Sequence, residues 1–326
     1  MRIAIIGAGA LGSLLAALLA SSATENRDEI WLIGSESTQT HLDLIKTRGL
    51  RVELAPNVAA TWSEEETQTE WLVKNLTVTA VAAEAYPVDL ALILVKSYRS
   101  PEAAQQAKML LALGKVALTL QNGLGNLATL AEGVGSERAA QGVTSLGATL
   151  LAPGVLRWSG LGPISLGITS QLNQSAQQIL LEFANRLLAL NLNVITTENI
   201  DGLVWGKLII NCAINPLGAL LNLPNGELLK RPSALEVMEA TAREAATVAQ
   251  ALGILLPYPY EAAANQARLV AHQTAANINS MLADLRRGRS TEIEAINGAI
   301  VREGQRCSIP TPVNWTLTHL IKGLGH

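Results

Sequence analysis

One lysine and two asparagines recur at every fourth position in an apolar stretch of the chain. Lys207, Asn211 and Asn215 lie within the largely apolar segment 203–216, and residues four apart share one face of a helix. Buried polar groups need partners, or they cost stability. Two interpretations therefore stay open: a lysine at a domain rim with two satisfied asparagines, or a polar stripe that lines a cleft.

A glutamate farther along the chain could complement that lysine. Glu292 is the second residue of the segment 291–298, and by itself it is typical of an exposed carboxylate at the start of a helix. If Glu292 and Lys207 faced the same nucleotide site, they could act as an orienting partner and a proton donor. The four histidines and two cysteines are scattered. Their spacing resembles no zinc site, and we predict no bound metal.

The beginning of the chain has the pattern of a dinucleotide-binding loop. A β-rich run at 2–6 is followed by Gly7, Gly9 and Gly12, and then by leucines at helical spacing. In such a loop the first glycine permits a sharp turn, the second lets the backbone approach a pyrophosphate, and the third allows close helix packing. The helix N-terminus favours the phosphates. We predict that the cofactor contacts Gly7, Ala8, Gly9, Ala10, Leu11 and Gly12.

The apolar run at 3–20 has an alternative interpretation as a secretory signal or a short membrane span. A second β-like run at 29–33 lies where a βαβ unit requires it, and this favours the strand–turn–helix interpretation. We find no further apolar run of membrane-spanning length. The net charge of −3 and the lack of a basic run argue against binding to nucleic acid or anionic membranes. We predict a cytoplasmic protein.

The 326 residues suffice for two domains. We expect a Rossmann-type α/β domain over 1–198, with a parallel sheet, and an all-α domain over 199–326. Predicted strands include 50–54, 72–81, 88–95, 115–120 and 193–197, and predicted helices are 38–48, 101–113, 175–190, 201–222, 232–253, 259–286 and 291–305. Gly7, Lys96 and Asn122 follow predicted strands, and ligands of such sheets bind at the carboxyl ends of the strands.

Several blocks of the sequence resemble the ketopantoate reductase (2-dehydropantoate 2-reductase) family. The most specific are the run Trp205–Leu217 and the spacing from Ser280 to Glu292. The other blocks are 6–12, 95–97, 121–125, 224–228, 277–284 and 291–298. The resemblance spans nearly the whole chain. It implies an NADPH-dependent reduction of 2-dehydropantoate, a small 2-keto acid, and it leaves a homodimer open.

The same resemblance implies roles for individual residues. Lys207 would be the general acid that protonates the developing alkoxide, and Glu292 would bind the substrate hydroxyl and hold the lysine. A positively charged donor suits this reaction, because hydride arrival leaves negative charge on the ketone oxygen. Asn122 would lie near the nicotinamide and Lys96 would face the cofactor. The residues implied around the substrate are Asn122, Lys207, Asn211, Asn215, Asn277, Ser280 and Glu292.

The segment after the second predicted strand bears on the choice of cofactor. NADPH-using members carry an arginine there, whereas this chain has Ser35 and Glu36. Glu36 lies about 24 residues after Gly12, near the spacing of an acidic residue that binds a ribose 2′-hydroxyl, or it simply begins a solvated helix. Ser35 could instead bind a phosphate, with Lys96 or Arg99 supplying charge. We predict NADP(H), with NAD(H) as the alternative.

Two other functions stay open. One is a related reductase of another small 2-keto acid, or an opine-type dehydrogenase, because substrate choice depends on the shape of the pocket. The other is a nucleotide sensor without turnover. Intact Lys207 and Glu292 argue against a sensor, which would need neither residue.

Overall fold

The structure is a computed structural model that describes residues 1–21, 28–62 and 69–324. The chain forms two compact units. Unit 1 comprises Met1–Gln121 and Asn126–Ile200, and unit 2 comprises Asn122–Gly125 and Asp201–His326. The functional division predicted at 198/199 stays a prediction.

Unit 1 is built on an eight-stranded sheet with the order β12-β11-β8-β7-β6-β1-β2-β5. Its neighbouring strands are parallel except for the antiparallel pair β8 and β11. The strands are β1 (Arg2–Ile6), β2 (Glu29–Ile33), β5 (Thr77–Thr79), β6 (Val88–Ile93), β7 (Leu111–Thr119), β8 (Ala139–Thr144), β11 (Ile164–Gly167) and β12 (Val194–Thr197). The predicted Rossmann-type sheet is confirmed.

The central strand β1 is apolar on both faces because both faces are covered. Ile3 and Ile5 belong to one hydrophobic core, and Ala4 and Ile6 belong to a second core. The helices of unit 1 are α1 (Ala10–Ala20), α2 (Gln39–Arg48), α3 (Pro56–Trp62), α4 (Ser100–Leu110), α5 (Asn126–Val134) and α6 (Gln174–Ala189). Side chains of α1 and α6 enter the first core, and those of α4 and α5 enter the second.

A second sheet, which was not predicted from the sequence, also belongs to unit 1. Its order is β4-β3-β10-β9, formed by β3 (Leu50–Leu54), β4 (Glu70–Val73), β9 (Gly147–Ala152) and β10 (Val155–Gly160). Trp62, Trp71 and Trp158 cluster on it, with ring centroids 4.9–6.4 Å apart. The buried ring of His41 joins this sheet to α1: Nδ1 accepts from the Gly154 amide at 2.9 Å, and Nε2 lies 3.0 Å from Ser13 Oγ.

Unit 2 is helical around a hydrophobic core. Its helices are α7 (Ile200–Leu221), α8 (Asn225–Leu228), α9 (Pro232–Ala251), α10 (Ala263–Gln273), α11 (Ser280–Arg286), α12 (Asn297–Arg306) and α13 (Pro312–Gly323). The first residue of α7, Ile200, is still counted in unit 1. The predicted helical second domain is confirmed.

Several predicted elements differ in extent from the observed ones. The strand predicted at 72–81 is two strands, because β4 pairs with β3 in the second sheet and β5 pairs with β2 in the first. The helix predicted at 101–113 ends at Leu110, because Leu111 already pairs with Val88 on β6. The helix predicted at 259–286 is interrupted at 274–279, and the helix predicted at 291–305 begins only at Asn297.

The expectation of no further span-length apolar run was also wrong. Helix α7 has 22 residues and is apolar enough to cross a membrane by length and composition alone. However, 72% of its apolar window is buried inside the structure. Core helices of globular proteins have the same character, so α7 is weak evidence for a membrane span.

Candidate functional site

The three glycines of the first loop have three different surroundings. Gly7 has a φ of +124°, and a Cβ there would lie 2.7 Å from the carbonyl carbon of Leu94. A Cβ on Gly12 would lie 2.0 Å from the Gly7 carbonyl oxygen, so only glycine lets α1 approach β1 this closely. A Cβ on Gly9 would meet nothing within 4 Å. The loop is therefore tight at Gly7 and Gly12 and open at Gly9, as the dinucleotide-binding pattern requires.

The N-terminus of α1 is suited to an anion. Gly9 is its N-cap, and the first turn contains no acidic residue. The first N–H groups of any helix lack intrahelical partners, and they carry the positive end of the helix dipole. Gly9, Ala10 and Leu11 are all partly exposed. The residues present therefore fit the pyrophosphate of a dinucleotide.

Arg99 lies beside Ser35, although the residues that directly follow β2 include no arginine. Arg99 ends the 3₁₀ turn Ser97–Arg99 after β6, and its Nη1 donates to Ser35 Oγ at 2.9 Å. Its Nη2 also pairs with Glu102 at 2.8 Å. Glu36 is exposed in the short turn that follows Ser35, whereas Lys96 is partly exposed at the N-cap of the Arg99 turn. The fold thus gives Ser35 a cationic neighbour 64 residues away in the chain.

In unit 2, Lys207 lies on α7 and makes a specific contact with the segment 122–125. Its Nζ donates to Asn122 Oδ1 at 2.7 Å. Burial lowers the pKa of the Lys207 ammonium to about 8, and the negative charge of Glu292 partly opposes this shift. The lysine side chain is still partly exposed. An ammonium with that pKa is protonated near neutrality and can lose a proton at moderate cost.

Glu292 is 7% exposed and therefore buried. It precedes α12 by five residues, in a turn where its carbonyl accepts from the amides of Ala295 and Ile296 at 3.0 and 3.1 Å. The interpretation of Glu292 as an exposed carboxylate at a helix start was therefore wrong. The apolar residues Ile293 and Ile296 resemble the buried face of a helix, although α12 begins only at Asn297.

The turn 292–296 also holds the segment that carries Asn122. The Leu124 amide donates to the Ala295 carbonyl at 3.0 Å. Gly123 has a φ of +83°, and a Cβ there would lie 2.4 Å from the Ala295 oxygen. Asn122, Lys207 and Glu292 are thus brought together within unit 2 by backbone contacts as well as by side chains.

The remaining predicted substrate residues lie on two elements of unit 2. Asn211 is partly exposed and Asn215 is 6% exposed, both on α7 with Lys207. Asn277 and Ser280 are exposed at the turn that separates α10 from α11. A Cβ on Gly218 would lie 2.3 Å from the amide nitrogen of Asn279, so this turn packs against α7 one helical turn beyond Asn215.

Two further residues near this site were not predicted from the sequence. Tyr258 Oη donates to the carbonyl of Gly206 at 3.1 Å, directly beside Lys207, and burial raises the pKa of the phenol. Asn279 is the N-cap of α11, with Oδ1 accepting from the Leu282 amide at 3.0 Å. An asparagine before an apolar run is a recognisable N-cap signal, so Asn279 could have been found; nothing in sequence marks Tyr258.

Cys212 is fully buried, and burial raises the pKa of its thiol.

Comparisons with known proteins agree with these features. Residues 3–171 match the family model described as ketopantoate reductase PanE/ApbA, and residues 199–325 match its C-terminal model. The chain is 34% identical to a 2-dehydropantoate 2-reductase of Pyrococcus horikoshii, over 99% of this chain and 97% of that protein. It is similar to the crystal structure of a PanE/ApbA family ketopantoate reductase from Ralstonia eutropha, with a TM-score of 0.84, 31% identity, and coverage of 99% and 98%.

The chain is also similar to the solved structure of D-mandelate dehydrogenase with NADH and anilino(oxo)acetate. The TM-score is 0.85 and the identity 27%, with coverage of 99% of this chain and 98% of that chain. The family models together match most of the chain, and the relative from Pyrococcus horikoshii exceeds 30% identity over nearly its full length. This chain belongs to the ketopantoate reductase family.

Proposed function

We propose that this chain is an NADPH-dependent 2-dehydropantoate 2-reductase, which reduces ketopantoate to pantoate. The observation that carries the proposal is the cluster in unit 2. There, the Lys207 ammonium, with a pKa of about 8, donates to Asn122 and is attracted by the negative charge of the buried Glu292. Membership of the ketopantoate reductase family supports the choice of substrate.

The proposed roles follow from the chemistry of the three side chains. When bound, the cofactor supplies the hydride to the keto carbon. Lys207 donates a proton from Nζ to the keto oxygen, where negative charge develops. An ammonium has three N–H donors, so one can stay on Asn122 while another serves the substrate. Glu292 keeps the ammonium charged through its electrostatic attraction and binds the substrate hydroxyl.

The preference for NADPH is supported by Arg99 beside Ser35. A planar guanidinium is well suited to a phosphate, and a hydroxyl can donate to the same group. Glu36, exposed and next to Ser35, argues for NADH, because a carboxylate would bind an unphosphorylated ribose. We favour NADPH because Arg99 makes a direct contact with Ser35. The proposed cofactor residues are Gly7, Ala8, Gly9, Ala10, Leu11, Gly12, Ser35, Lys96 and Asn122.

The polar residues of α7 and of the 274–280 turn are proposed to bind the substrate. They are Asn211, Asn215, Asn277 and Ser280, in addition to Asn122, Lys207 and Glu292. The similarity to D-mandelate dehydrogenase supports a second candidate, a reductase of another small 2-keto acid.

The test is spectrophotometric oxidation of NADPH and of NADH, each at equal concentration, with ketopantoate and with a series of other 2-keto acids including phenylglyoxylate. We expect kcat/KM to be highest with ketopantoate and NADPH. A higher kcat/KM with an aromatic 2-keto acid would support the second candidate. Cofactor binding with no turnover of any 2-keto acid would contradict both and support a sensor.

A further inference from the structure

Helix α7 contains a proline, and this affects a buried carbonyl. A helical residue donates its N–H to the carbonyl four residues earlier, and proline has no N–H. Pro216 lies inside α7, so the carbonyl of Cys212 lacks its usual intrahelical donor. Cys212 is fully buried, and buried backbone carbonyls without partners cost stability. A donor from outside the helix is therefore needed at this point.

Asn297 supplies that donor. Its Nδ2 donates to the Cys212 carbonyl at 3.1 Å and to Asn314 Oδ1 at 3.0 Å. Asn314 is itself held, because its Nδ2 donates to Glu244 at 2.9 Å. Asn297 and Asn314 are both fully buried. The asparagine amide is thus locked between α7 and α13.

The Asn297 amide oxygen has no partner among the residues that the structure describes, although it is buried. An unsatisfied buried acceptor carries a penalty, so such a group calls for an explanation beyond packing. An apolar side chain in this place would avoid the penalty, but it could not reach the Cys212 carbonyl with a donor. Asn297 therefore holds α7 in place through the Cys212 carbonyl, at the cost of leaving its own amide oxygen without a hydrogen bond.

Asn297 is also the first residue of α12, directly after the turn that carries Glu292. In that turn the Gly298 amide donates to the Ile293 carbonyl at 2.9 Å, so Asn297 and the turn form one connected piece. The Asn297 bond therefore joins the helix that carries Lys207 to the turn that carries Glu292. It does so on a side of α7 outside the row of Lys207, Asn211 and Asn215.

We propose that Asn297 is a positioning residue, which acts through the carbonyl that Pro216 leaves unpaired and sets Lys207 and Glu292 at their working separation. The inference rests on the proposed function. If it holds, loss of the bond weakens the attraction of Glu292 for the Lys207 ammonium. The reaction then slows and its alkaline limb moves to lower pH, with little change in KM.

The test is a set of four proteins: the wild type, Asn297→Ala, Pro216→Ala and the double variant. Pro216→Ala restores an N–H to the helix, so in the double variant the Cys212 carbonyl regains a partner without Asn297. We expect Asn297→Ala to lower kcat by about ten- to a hundredfold, the scale of small misplacements in active sites. We expect the double variant to recover thermal stability but not kcat or the pH profile.

A matched control is Thr318→Val, which removes a buried 2.8 Å hydrogen bond to the Asn314 carbonyl within α13. It should lower the melting temperature with kcat and the pH profile unchanged. If kcat recovers together with stability in the double variant, Asn297 is merely structural and the inference is overturned. If Asn297→Ala alone does not fold, the double variant still decides. A wild type that turns over no 2-keto acid overturns the proposed function as well.

Discussion

Lys207 Nζ donates a 2.7 Å hydrogen bond to Asn122 Oδ1, although 85 residues separate them. Asn122 lies in a four-residue segment, Asn122–Gly125, that belongs to unit 2 while the chain on either side of it belongs to unit 1. The contact therefore ties the proposed general acid to a short segment of its own unit that is distant in sequence. Loss of either partner removes this bond from a partly buried polar group, which is costly.

Replacing Lys207 by alanine should lower kcat by about two to four orders of magnitude, the usual contribution of a general acid or base. The affinity for the cofactor should change little, because the proposed nucleotide residues lie mainly in unit 1. The measurement is steady-state kinetics with ketopantoate, together with fluorescence titration of NADPH. Lys230→Ala is the control, since Lys230 is 71% exposed and pairs only with Glu227 among the ion pairs that the structure describes. Equal turnover by the two variants would remove Lys207 from the mechanism.

The pH dependence of the reduction follows from the pKa of Lys207. Burial lowers that pKa to about 8, and the proposed proton donation requires the ammonium form. We expect kcat/KM to be level below pH 8 and to fall about tenfold per pH unit above it. Glu292 raises the pKa of Lys207, so Glu292→Gln should move the alkaline limb to lower pH. A limb that stays in place in Glu292→Gln would mean that another group titrates.

The cofactor preference should depend on Arg99. Arg99→Ala should lower kcat/KM with NADPH by roughly ten- to a hundredfold, the value of a hydrogen bond to a charged group, and leave NADH nearly unaffected. Glu102→Gln is the matched variant, because Glu102 competes for the guanidinium at 2.8 Å. It should increase the preference for NADPH. An unchanged NADPH/NADH ratio in Arg99→Ala would locate the discriminating residue elsewhere.

The sequence predicted the parts of the fold that depend on local pattern. These parts are the G-x-G-x-x-G loop, which is recognised by its glycine spacing, and the apolar strand β1 and the amphipathic helices, which are recognised by their hydrophobic patterns. The second sheet was missed because β3 and β10 pair in parallel across 104 positions, and no local pattern encodes such a partner. The pairing of Arg99 with Ser35 was open for the same reason. The start of α12 was placed too early because the turn 292–296 is as apolar as a helix face.

The glycine loop offers a last test in which two similar changes should act differently. Gly12→Ala would bring a Cβ to 2.0 Å from the Gly7 carbonyl oxygen. We expect it to lower the free energy of unfolding by roughly 1–3 kcal/mol or more, the usual cost of overpacking. Gly9→Ala meets open space at a φ of −84°, so its cost to stability should stay below about 1 kcal/mol.

For the affinity for NADPH, Gly9→Ala should have a larger effect than Gly12→Ala. The added methyl of Gly9→Ala would occupy the space through which a pyrophosphate approaches the backbone. We expect NADPH to bind roughly tenfold more weakly to it, which corresponds to about 1.4 kcal/mol. Thermal unfolding and NADPH titration of both variants make the comparison. If Gly9→Ala bound NADPH as tightly as the wild type, the pyrophosphate would not approach the backbone at Gly9, because the added methyl would otherwise obstruct it.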